Sequence, residues 1–212
     1  MPGESASTER IVFTVGHSNR PLEAFLDLLA RQQIDLLVDV RSSPYSEYAG
    51  QFNRDVIQAA LRSRLIRYLF LGDVLGGRPQ QEEFYDERGF VLYDRVAQSP
   101  AFLAGIDRLL GQLPTCRAVL LCGEEDPTHC HRRLLVGRVL QGLGVKLFHL
   151  RGDGRVQSED QVAREEEFRK TKGQKTLFDI EEPEPWRSTR SVSPRKAQPT
   201  SSASSAEPEP ND

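Results

Sequence analysis

One stretch of the chain decides its fold, AVLLCGEEDPTHCHRR at residues 118–133. The continuous apolar run at residues 118–121 predicts a buried β-strand, and a short polar loop follows it. Asp126 followed by Pro127 is typical of a helix cap and a first helical residue, and apolar residues at helical spacing extend this helix to Gly144. The stretch therefore predicts a strand, a loop and a helix in succession.

The same alternation of strand and helix patterns runs along the chain on both sides of this stretch. Short apolar runs predict the other strands, at residues 11–16, 35–40, 66–71 and 145–150. Helical spacing of apolar residues predicts helices that begin near residues 21, 53 and 99. We therefore expect an α/β fold, a single three-layer domain with a mostly parallel sheet of about five strands flanked by helices.

The composition predicts where this domain begins and ends. Residues 1–9 are small and polar, which is typical of a disordered N-terminus, and the α/β domain is expected at residues 10–153. Residues 154–180 are heavily charged. Residues 181–212 are dominated by Pro, Ser and Glu, which predicts a disordered C-terminal tail.

Composition also limits the class of protein. The 212-residue chain has a formal charge of −3, which argues against a protein that coats nucleic acid through bulk positive charge. The chain has no apolar run long enough to cross a bilayer and no signal-peptide pattern. Three cysteines, a small and odd number, are typical of free thiols in a reducing compartment. We expect a cytoplasmic protein without membrane contact.

Polar and reactive side chains follow every predicted strand. The carboxyl ends of parallel strands share one edge of the sheet, where open α/β folds bind their ligands. The groups at these ends are His17-Ser18, Asp39-Val40-Arg41, Gly76-Gly77-Arg78, Cys122-Gly123-Glu124 and His149-Leu150-Arg151. We predict that they form the rim of one pocket. The candidates for catalytic roles are His17, Asp39, Cys122, Cys130 and His131. The candidates for binding a substrate anion are Ser18, Arg41, Arg78, Glu124 and Arg132.

Two cysteines are candidates for a reactive thiolate. Cys130 falls at about the fourth residue of the predicted helix, in the first turn, where the helix dipole favours a thiolate. His131 and Arg132 beside it would add to this effect, and a lowered pKa is what a cysteine nucleophile needs. The alternatives are that Cys130 packs beneath the helix against Leu134 and that Cys122 is simply a buried strand residue.

A zinc site is a rival use of the same side chains. Cys122, His129, Cys130 and His131, together with His17, offer sulfur and imidazole donors. However, seven residues separate the two cysteines and no second closely spaced pair follows, unlike the usual zinc motifs. We therefore predict no cofactor and retain zinc as an alternative.

The arginines near the predicted rim indicate an anionic ligand. Arginine forks match phosphate and carboxylate groups, and the exposed amides of a helix N-terminus add to the attraction. Asp39 could orient Arg41 or His17, or could act as a general base. The chain has no Walker A motif and no GxGxxG fingerprint, so neither nucleoside triphosphate hydrolysis nor nicotinamide binding is favoured.

The motifs at the strand ends resemble those of a widespread microbial family catalogued as domain of unknown function 488. The matching pieces are Thr14-Val15-Gly16-His17-Ser18, Leu37-Val38-Asp39-Val40-Arg41 followed by Pro44, Leu75-Gly76-Gly77, Leu121-Cys122, and Glu124 through Cys130-His131-Arg132. They span residues 11–150 in this order. The family has no settled activity, so the resemblance implies only that the rim residues belong to one shared site.

A second resemblance lies in the charged segment. The pentapeptide Gln174-Lys175-Thr176-Leu177-Phe178 is similar to the one with which bacterial proteins dock on the DNA polymerase sliding clamp. In a flexible tail, Leu177 and Phe178 would enter an apolar groove while Gln174 forms hydrogen bonds at its edge. The alternative is that Leu177 and Phe178 fold back onto the core of this chain.

Three functions are open at this point. The favoured one is an enzyme that acts on a phosphate-bearing substrate, preferably a nucleotide or nucleic acid, with a link to DNA replication or repair through the clamp-like peptide. The first alternative is a module that binds an anion or nucleic acid without catalysis. The second is a zinc-dependent site built on Cys122, Cys130 and the histidines.

We predict that a labelled peptide covering residues 170–182 binds the bacterial sliding clamp, because adjacent Leu177 and Phe178 suit an apolar groove. Fluorescence polarisation measures the affinity. The matched control carries Leu177→Ala and Phe178→Ala, for which we expect binding weaker by about tenfold or more. Equal affinity of the two peptides would contradict the docking.

Overall fold

The sheet has the parallel core that the sequence predicts. The computed structural model describes residues 9–171 and 185–192, and within these ranges six strands pair in the order β3-β2-β4-β1-β5-β6. The strands are β1 Ile11–Gly16, β2 Leu36–Asp39, β3 Arg67–Phe70, β4 Ala118–Cys122, β5 Lys146–Leu150 and β6 Val156–Ser158. The first five are parallel, and β6 pairs antiparallel with β5. The α/β fold is confirmed, with one short strand more than predicted.

Helices cover both faces of the sheet. They are α1 Leu22–Arg31, α2 Arg54–Ser63, α3 Tyr93–Gln98, α4 Pro100–Leu110, α5 Arg138–Gly142 and α6 Glu159–Thr171. Alternate strand residues join different apolar clusters, because successive side chains of a strand point to opposite faces. Leu37 and Val119 pack with α1 and α2, whereas Leu36 and Leu120 pack with α4 and α5. No helix in the described ranges combines the length and apolar character needed to cross a membrane.

The segment between β4 and α5 differs from the single helix that the sequence predicts. The Asp126 carboxylate accepts a hydrogen bond from the Thr128 amide at 2.9 Å, but it caps only a 3₁₀ turn, Pro127–His129. Cys130 then has extended backbone, with φ −119° and ψ 135°, and winding resumes in a π-helical segment, Arg132–Gly137, that continues into α5. The predicted first-turn position of Cys130 is therefore wrong, because the local hydrogen bond of Asp126 favours a tight turn over a continuous helix.

The folded part of the chain extends past residue 153, where the sequence pattern ends the domain. β6 is too short to show a period of its own, and α6 follows it directly. Residues 185–192 pack against the domain as well, although they lie in the segment whose composition is typical of disorder. The clamp-like pentapeptide 174–178 lies outside the described residues, so its docking stays a prediction.

The register of the sheet places the ends of three strands side by side. Gly16 of β1 lies beside Cys122 of β4, and Asp39 of β2 lies beside Leu121. The backbone pairing continues beyond the strands, since the His17 amide donates to the Cys122 carbonyl at 2.9 Å. The loops that carry the predicted site residues therefore leave the sheet at one edge.

Candidate active site at the carboxyl edge of the sheet

The ends of β1, β2 and β4 border a cavity of about 560 Å³. Seven predicted site residues line it: His17, Arg41, Arg78, Cys122, Glu124, Cys130 and His131. Gly77 and Gly123 of the strand-end groups line it as well, together with residues that the strand-end argument did not single out, namely Ser42, Ser43, Tyr45, Ser46, Tyr93, His129, Ser188, Thr189, Arg190 and Val192. The single pocket predicted from the strand ends is thus present, and part of its wall comes from the C-terminal segment.

The strand-end group of β5 does not reach the cavity. His149 is fully buried, with its ring nitrogens 2.8 Å from the Thr14 hydroxyl and 2.8 Å from a Glu159 carboxylate oxygen. Arg151 forms an ion pair with Glu125 at 3.0 Å. Both side chains bind other residues of the domain and do not line the cavity. The rim therefore consists of four of the five predicted groups.

Asp39 lies beneath the cavity and holds Arg41 in place. Its Oδ1 accepts the Nε–H of Arg41 at 2.9 Å and the Arg41 amide at 3.0 Å, while its Oδ2 accepts Nη2–H at 2.6 Å and the Tyr68 hydroxyl at 2.8 Å. Burial, followed by the charge of Asp39, raises the pKa of Tyr68, so its hydroxyl remains a donor. With both oxygens occupied and no exposure, Asp39 orients Arg41, and the geometry does not favour a role as general base.

His17 is a neutral partner of Arg41. Its Nδ1 lies 2.6 Å from the Ser18 carbonyl, which can only accept, so Nδ1 carries the proton and Nε2 accepts the Nη1–H of Arg41 at 3.1 Å. The ring stacks on Phe52 with centroids 4.4 Å apart. Burial lowers the pKa of His17 to about 4. The ring therefore positions Arg41, and the predicted acid–base role is not favoured.

The predicted anion-binding role of Ser18 also finds no support in this arrangement. Its side chain is exposed but does not line the cavity. Its backbone amide donates to the Gly123 carbonyl at 2.9 Å, and its carbonyl accepts from His17. Ser18 thus connects the loops after β1 and β4 through its backbone.

Cys122 and Cys130 are neighbouring thiols in the lining of the cavity. The sulfur of Cys122 lies within 4.8 Å of that of Cys130, and the amides of Gly123 and Glu124 follow Cys122 directly in the chain. The thiol of Cys130, with the nearby charge of Arg132 and the two amides, lowers the pKa of Cys122 to about 6. Burial raises the pKa of Cys130 to about 12. Of the two predicted candidates for a reactive thiolate, these directions favour Cys122.

His131 presents a lone pair to both sulfurs. Its Nδ1 lies 3.7 Å from the sulfur of Cys122 and 3.9 Å from that of Cys130. Its Nε2 lies 2.9 Å from the Val40 carbonyl, which can only accept, so the ring proton sits on Nε2. Gly77 packs against the ring so closely that a Cβ there would lie 2.7 Å from the imidazole. The loop after β3 therefore has a glycine at the position that contacts the His131 ring, where a larger residue would collide with it.

Arg132 is unavailable to a ligand, which corrects the prediction that it binds an anion. Its side chain is fully buried, and it donates to the Glu124 carbonyl, to the Glu125 carbonyl at 2.6 Å and to the Thr14 hydroxyl at 3.3 Å. Helical periodicity could not show this, because a first-turn side chain can face either the cavity or the sheet. Arg132 thus acts on the site through the loop it holds and through its charge on Cys122.

Two arginines can still reach an anion in the cavity. Arg41 uses four of its five N–H groups in the bonds to Asp39, His17 and the Phe52 carbonyl, which leaves one on Nη2. Arg78 is exposed, and no ion pair between described residues includes its guanidinium. Glu124 provides the carboxylate in the lining, so the wall formed by the predicted residues favours an anionic ligand.

We predict that Asp39→Ala lowers the free energy of unfolding by about 3–5 kcal/mol, because it leaves the buried Arg41 without its counter-charge. Urea unfolding followed by circular dichroism measures the loss. The matched control is Glu23→Ala, which removes one of the two carboxylate partners of the exposed Arg64 and should cost less than about 1 kcal/mol. Equal losses in the two variants would show that Asp39 is not needed to balance Arg41.

Comparison with known proteins identifies the family of this chain. The family model described as Domain of unknown function DUF488 matches residues 21–139, which is more than half of the chain. The matched range contains Asp39, Arg41 and the cluster from Cys122 to Arg132. No curated protein and no solved structure shows a significant match. The chain belongs to the DUF488 family, whose function is not assigned.

Proposed function

We propose that this protein is a thiol-dependent enzyme in which Cys122 attacks a phosphate-bearing substrate bound in the cavity. The observation that carries the proposal is the position of Cys122, which lines the cavity with the Cys130 sulfur within 4.8 Å and Nδ1 of His131 at 3.7 Å, and whose pKa is lowered by hydrogen bonding from Cys130 and from the amides of Glu124 and Gly123. Donors that converge on a sulfur stabilise its thiolate, and the thiolate is the nucleophilic form of cysteine.

The protonation state of Cys122 supports this role. The pKa of Cys122 is lowered to about 6, mainly by the Cys130 thiol, which favours the thiolate at neutral pH. An ordinary cysteine has only a few per cent thiolate at this pH. The nucleophile is thus present without a base that must first remove its proton.

The cavity wall supports an anionic substrate. Arg41 is held in one orientation by Asp39, so little conformational entropy is lost when its free N–H donates to a phosphate oxygen. Arg78 adds an exposed guanidinium. Tyr45, which lines the cavity and is 46% exposed, offers an aromatic face on which a base could stack. We therefore propose nucleotides or nucleic acid as the preferred class.

The reaction is a displacement in two steps. The electron pair of the Cys122 thiolate forms a bond to the electrophilic atom of the substrate, and the leaving group departs with the electrons of the broken bond. His129, an exposed histidine in the lining, protonates the leaving group. A water molecule then displaces the sulfur, gives its proton to Nδ1 of His131 and restores the thiolate, and both histidines exchange protons with solvent.

A metal centre is the second candidate, because one observation favours it directly. The donor atoms of Cys122, Cys130 and His131 all lie within 4.8 Å of one another. The Nε2–H of His131 is held by the Val40 carbonyl, an arrangement common among metal-ligating histidines. Three protein ligands beside an open cavity match the plan of catalytic zinc sites, in which water fills the fourth position.

We predict that iodoacetamide alkylates Cys122 at a rate that rises with pH through a midpoint near 6, because the rate follows the thiolate fraction. Cys130→Ala removes the thiol donor and should raise the midpoint by about one unit or more. Cys116→Ala, which removes a cysteine outside the cavity, is the control and should leave the midpoint unchanged. Mass spectrometry of the Cys122 peptide follows the reaction. A wild-type midpoint at the ordinary value of about 8.5 would overturn the thiolate proposal.

We predict that the purified protein carries well under one zinc per chain and that a chelator does not change the alkylation rate of Cys122, since a bound metal would occupy the sulfur. Elemental analysis measures the content. The opposite result would be stoichiometric zinc that is lost in His131→Ala but retained in the control His129→Ala. That result would contradict the proposed cysteine nucleophile and support the metal centre.

A further inference from the structure

The C-terminal strap, residues 185–192, supplies a wall of the cavity from outside the matched part of the chain. The DUF488 match ends at residue 139, and the strap follows it by more than forty residues. Four residues of the strap line the cavity: Ser188, Thr189, Arg190 and Val192. The strap therefore shapes the space in which a substrate lies.

Backbone hydrogen bonds fix the strap to the segment before α3. The Ser188 amide donates to the Val91 carbonyl at 2.9 Å, and the Val91 amide donates to the Ser188 hydroxyl at 3.0 Å. The Tyr93 amide donates to the Trp186 carbonyl at 3.0 Å, beside an isolated antiparallel bridge. These bonds hold the strap alongside residues 91–93, so its position does not depend on exposed side chains alone.

Trp186 anchors the start of the strap. Its indole Nε1–H donates to the Leu134 carbonyl at 2.7 Å, within the π-helical segment that follows the cysteine cluster. The Arg138 guanidinium lies over the ring, 4.5 Å from its centroid, and Tyr93 packs edge-on against it. The only tryptophan of the chain thus joins the strap to the helix that carries His131.

The two arginines of the strap have different surroundings. Arg187 pairs with Asp86 at 3.0 Å and lies over the Phe90 ring at 4.5 Å, so it is part of the anchor. Arg190 lines the cavity with its side chain 70% exposed, and its carboxylate contact is Glu124 at 3.8 Å. An exposed pair at that distance contributes little free energy. An anion in the cavity can therefore replace Glu124 as the partner of Arg190 at small cost.

The balance of charge in the cavity changes when the strap is included. The lining then contains three arginines, Arg41, Arg78 and Arg190, whereas the carboxylate among its described residues is that of Glu124. Arg41 is rigid and lies beside the cysteine cluster, whereas Arg190 is exposed at the rim. A phosphate group between them would be held from two sides, with the strap supplying the side that the matched family range lacks.

We infer that the strap completes the substrate site and that Arg190 is a specificity-determining residue that binds the phosphate of the substrate. The inference rests on the proposed function in one respect, that the ligand of the cavity carries a phosphate. It adds that recognition of this phosphate requires a segment outside residues 21–139.

The test measures how inorganic phosphate and AMP protect Cys122 of the full-length protein from iodoacetamide. We expect saturable protection in the wild type, because a ligand between the arginines covers the sulfur. Arg190→Ala should raise the apparent Kd for phosphate by about tenfold or more, the loss of one charge-assisted hydrogen bond. Arg190→Lys, which retains the charge without the fork, should give an intermediate value.

Two further variants separate the strap from general effects of charge. Arg88→Ala removes an exposed arginine that does not line the cavity, so it changes the net charge equally and should leave the Kd within about twofold. Trp186→Ala removes the anchor and should weaken phosphate binding as Arg190→Ala does. The pH midpoint of Cys122 alkylation should not change in either variant, because the cysteine cluster is left intact.

The outcomes distinguish this inference from the proposed function. Three results would each overturn the role of the strap: no protection of Cys122 in the wild type, an unchanged Kd in Arg190→Ala, or tighter phosphate binding in Trp186→Ala. Each would do so even if the pH midpoint of Cys122 alkylation were near 6, because that midpoint tests only the nucleophile. A midpoint at the ordinary value of a thiol would overturn the nucleophile alone. Phosphate binding would then be measured by isothermal titration calorimetry, and a loss confined to Arg190→Ala and Trp186→Ala would still support the strap.

Discussion

A buried guanidinium without a carboxylate partner governs the candidate site. Arg132 is fully buried, and among the described residues no carboxylate lies within ion-pair distance of it. Burying a cation in this way is costly unless an opposite charge is near. A thiolate on Cys122 and the Glu125 carboxylate supply negative charge near it, and Arg132 contributes to the lowered pKa of both groups. The same side chain bonds the carbonyls of the loop whose amides point at the sulfur, so the position of the loop and the charge of Cys122 depend on one group.

The site divides into a part whose protons are fixed and a part whose protons can move. On the β2 side, Asp39, Arg41 and His17 satisfy one another, and the neutral His17 leaves Arg41 as a stationary cation. On the β4 side, the pKa of Cys122 is lowered and that of Cys130 is raised, and Nδ1 of His131 lies near both sulfurs. Binding of an anion suits the first part because rigid donors lose little entropy. Covalent or metal chemistry suits the second because both require a deprotonated sulfur.

Local patterns predicted the fold and the location of the site, but not the direction of several side chains. The alternation of strands and helices and the strand-end rule were enough to bring Arg41, Cys122 and His131 to one cavity. They could not show that the Arg132 side chain points toward β1. Helical spacing shows which residues share a face of the helix, but it does not show which part of the protein packs against that face. They also placed Cys130 in a helical turn, since nothing in the spacing shows that Asp126 ends that turn after three residues.

The strap was missed for a related reason. A segment rich in Pro, Ser and Glu buries too little apolar surface to fold alone, so its composition predicts disorder. Trp186 provides the missing contacts between this segment and the domain. Its ring packs against Tyr93 and Arg138 of α5, and its indole N–H donates to the Leu134 carbonyl. Such contacts join residues far apart in sequence and leave no local period.

The division between cavity floor and strap follows from what each task requires. Lowering the pKa of a thiol needs buried donors and a buried charge, and only strand ends and helix starts of a packed domain can hold these in place. Choosing a substrate needs exposed groups that can exchange one partner for another, as Arg190 can exchange Glu124 for a phosphate. A segment docked on the finished domain can change such groups without disturbing the core. Under the proposed function, the reactive cysteine and the strap are therefore structurally separate, and part of the substrate site lies outside the matched residues 21–139.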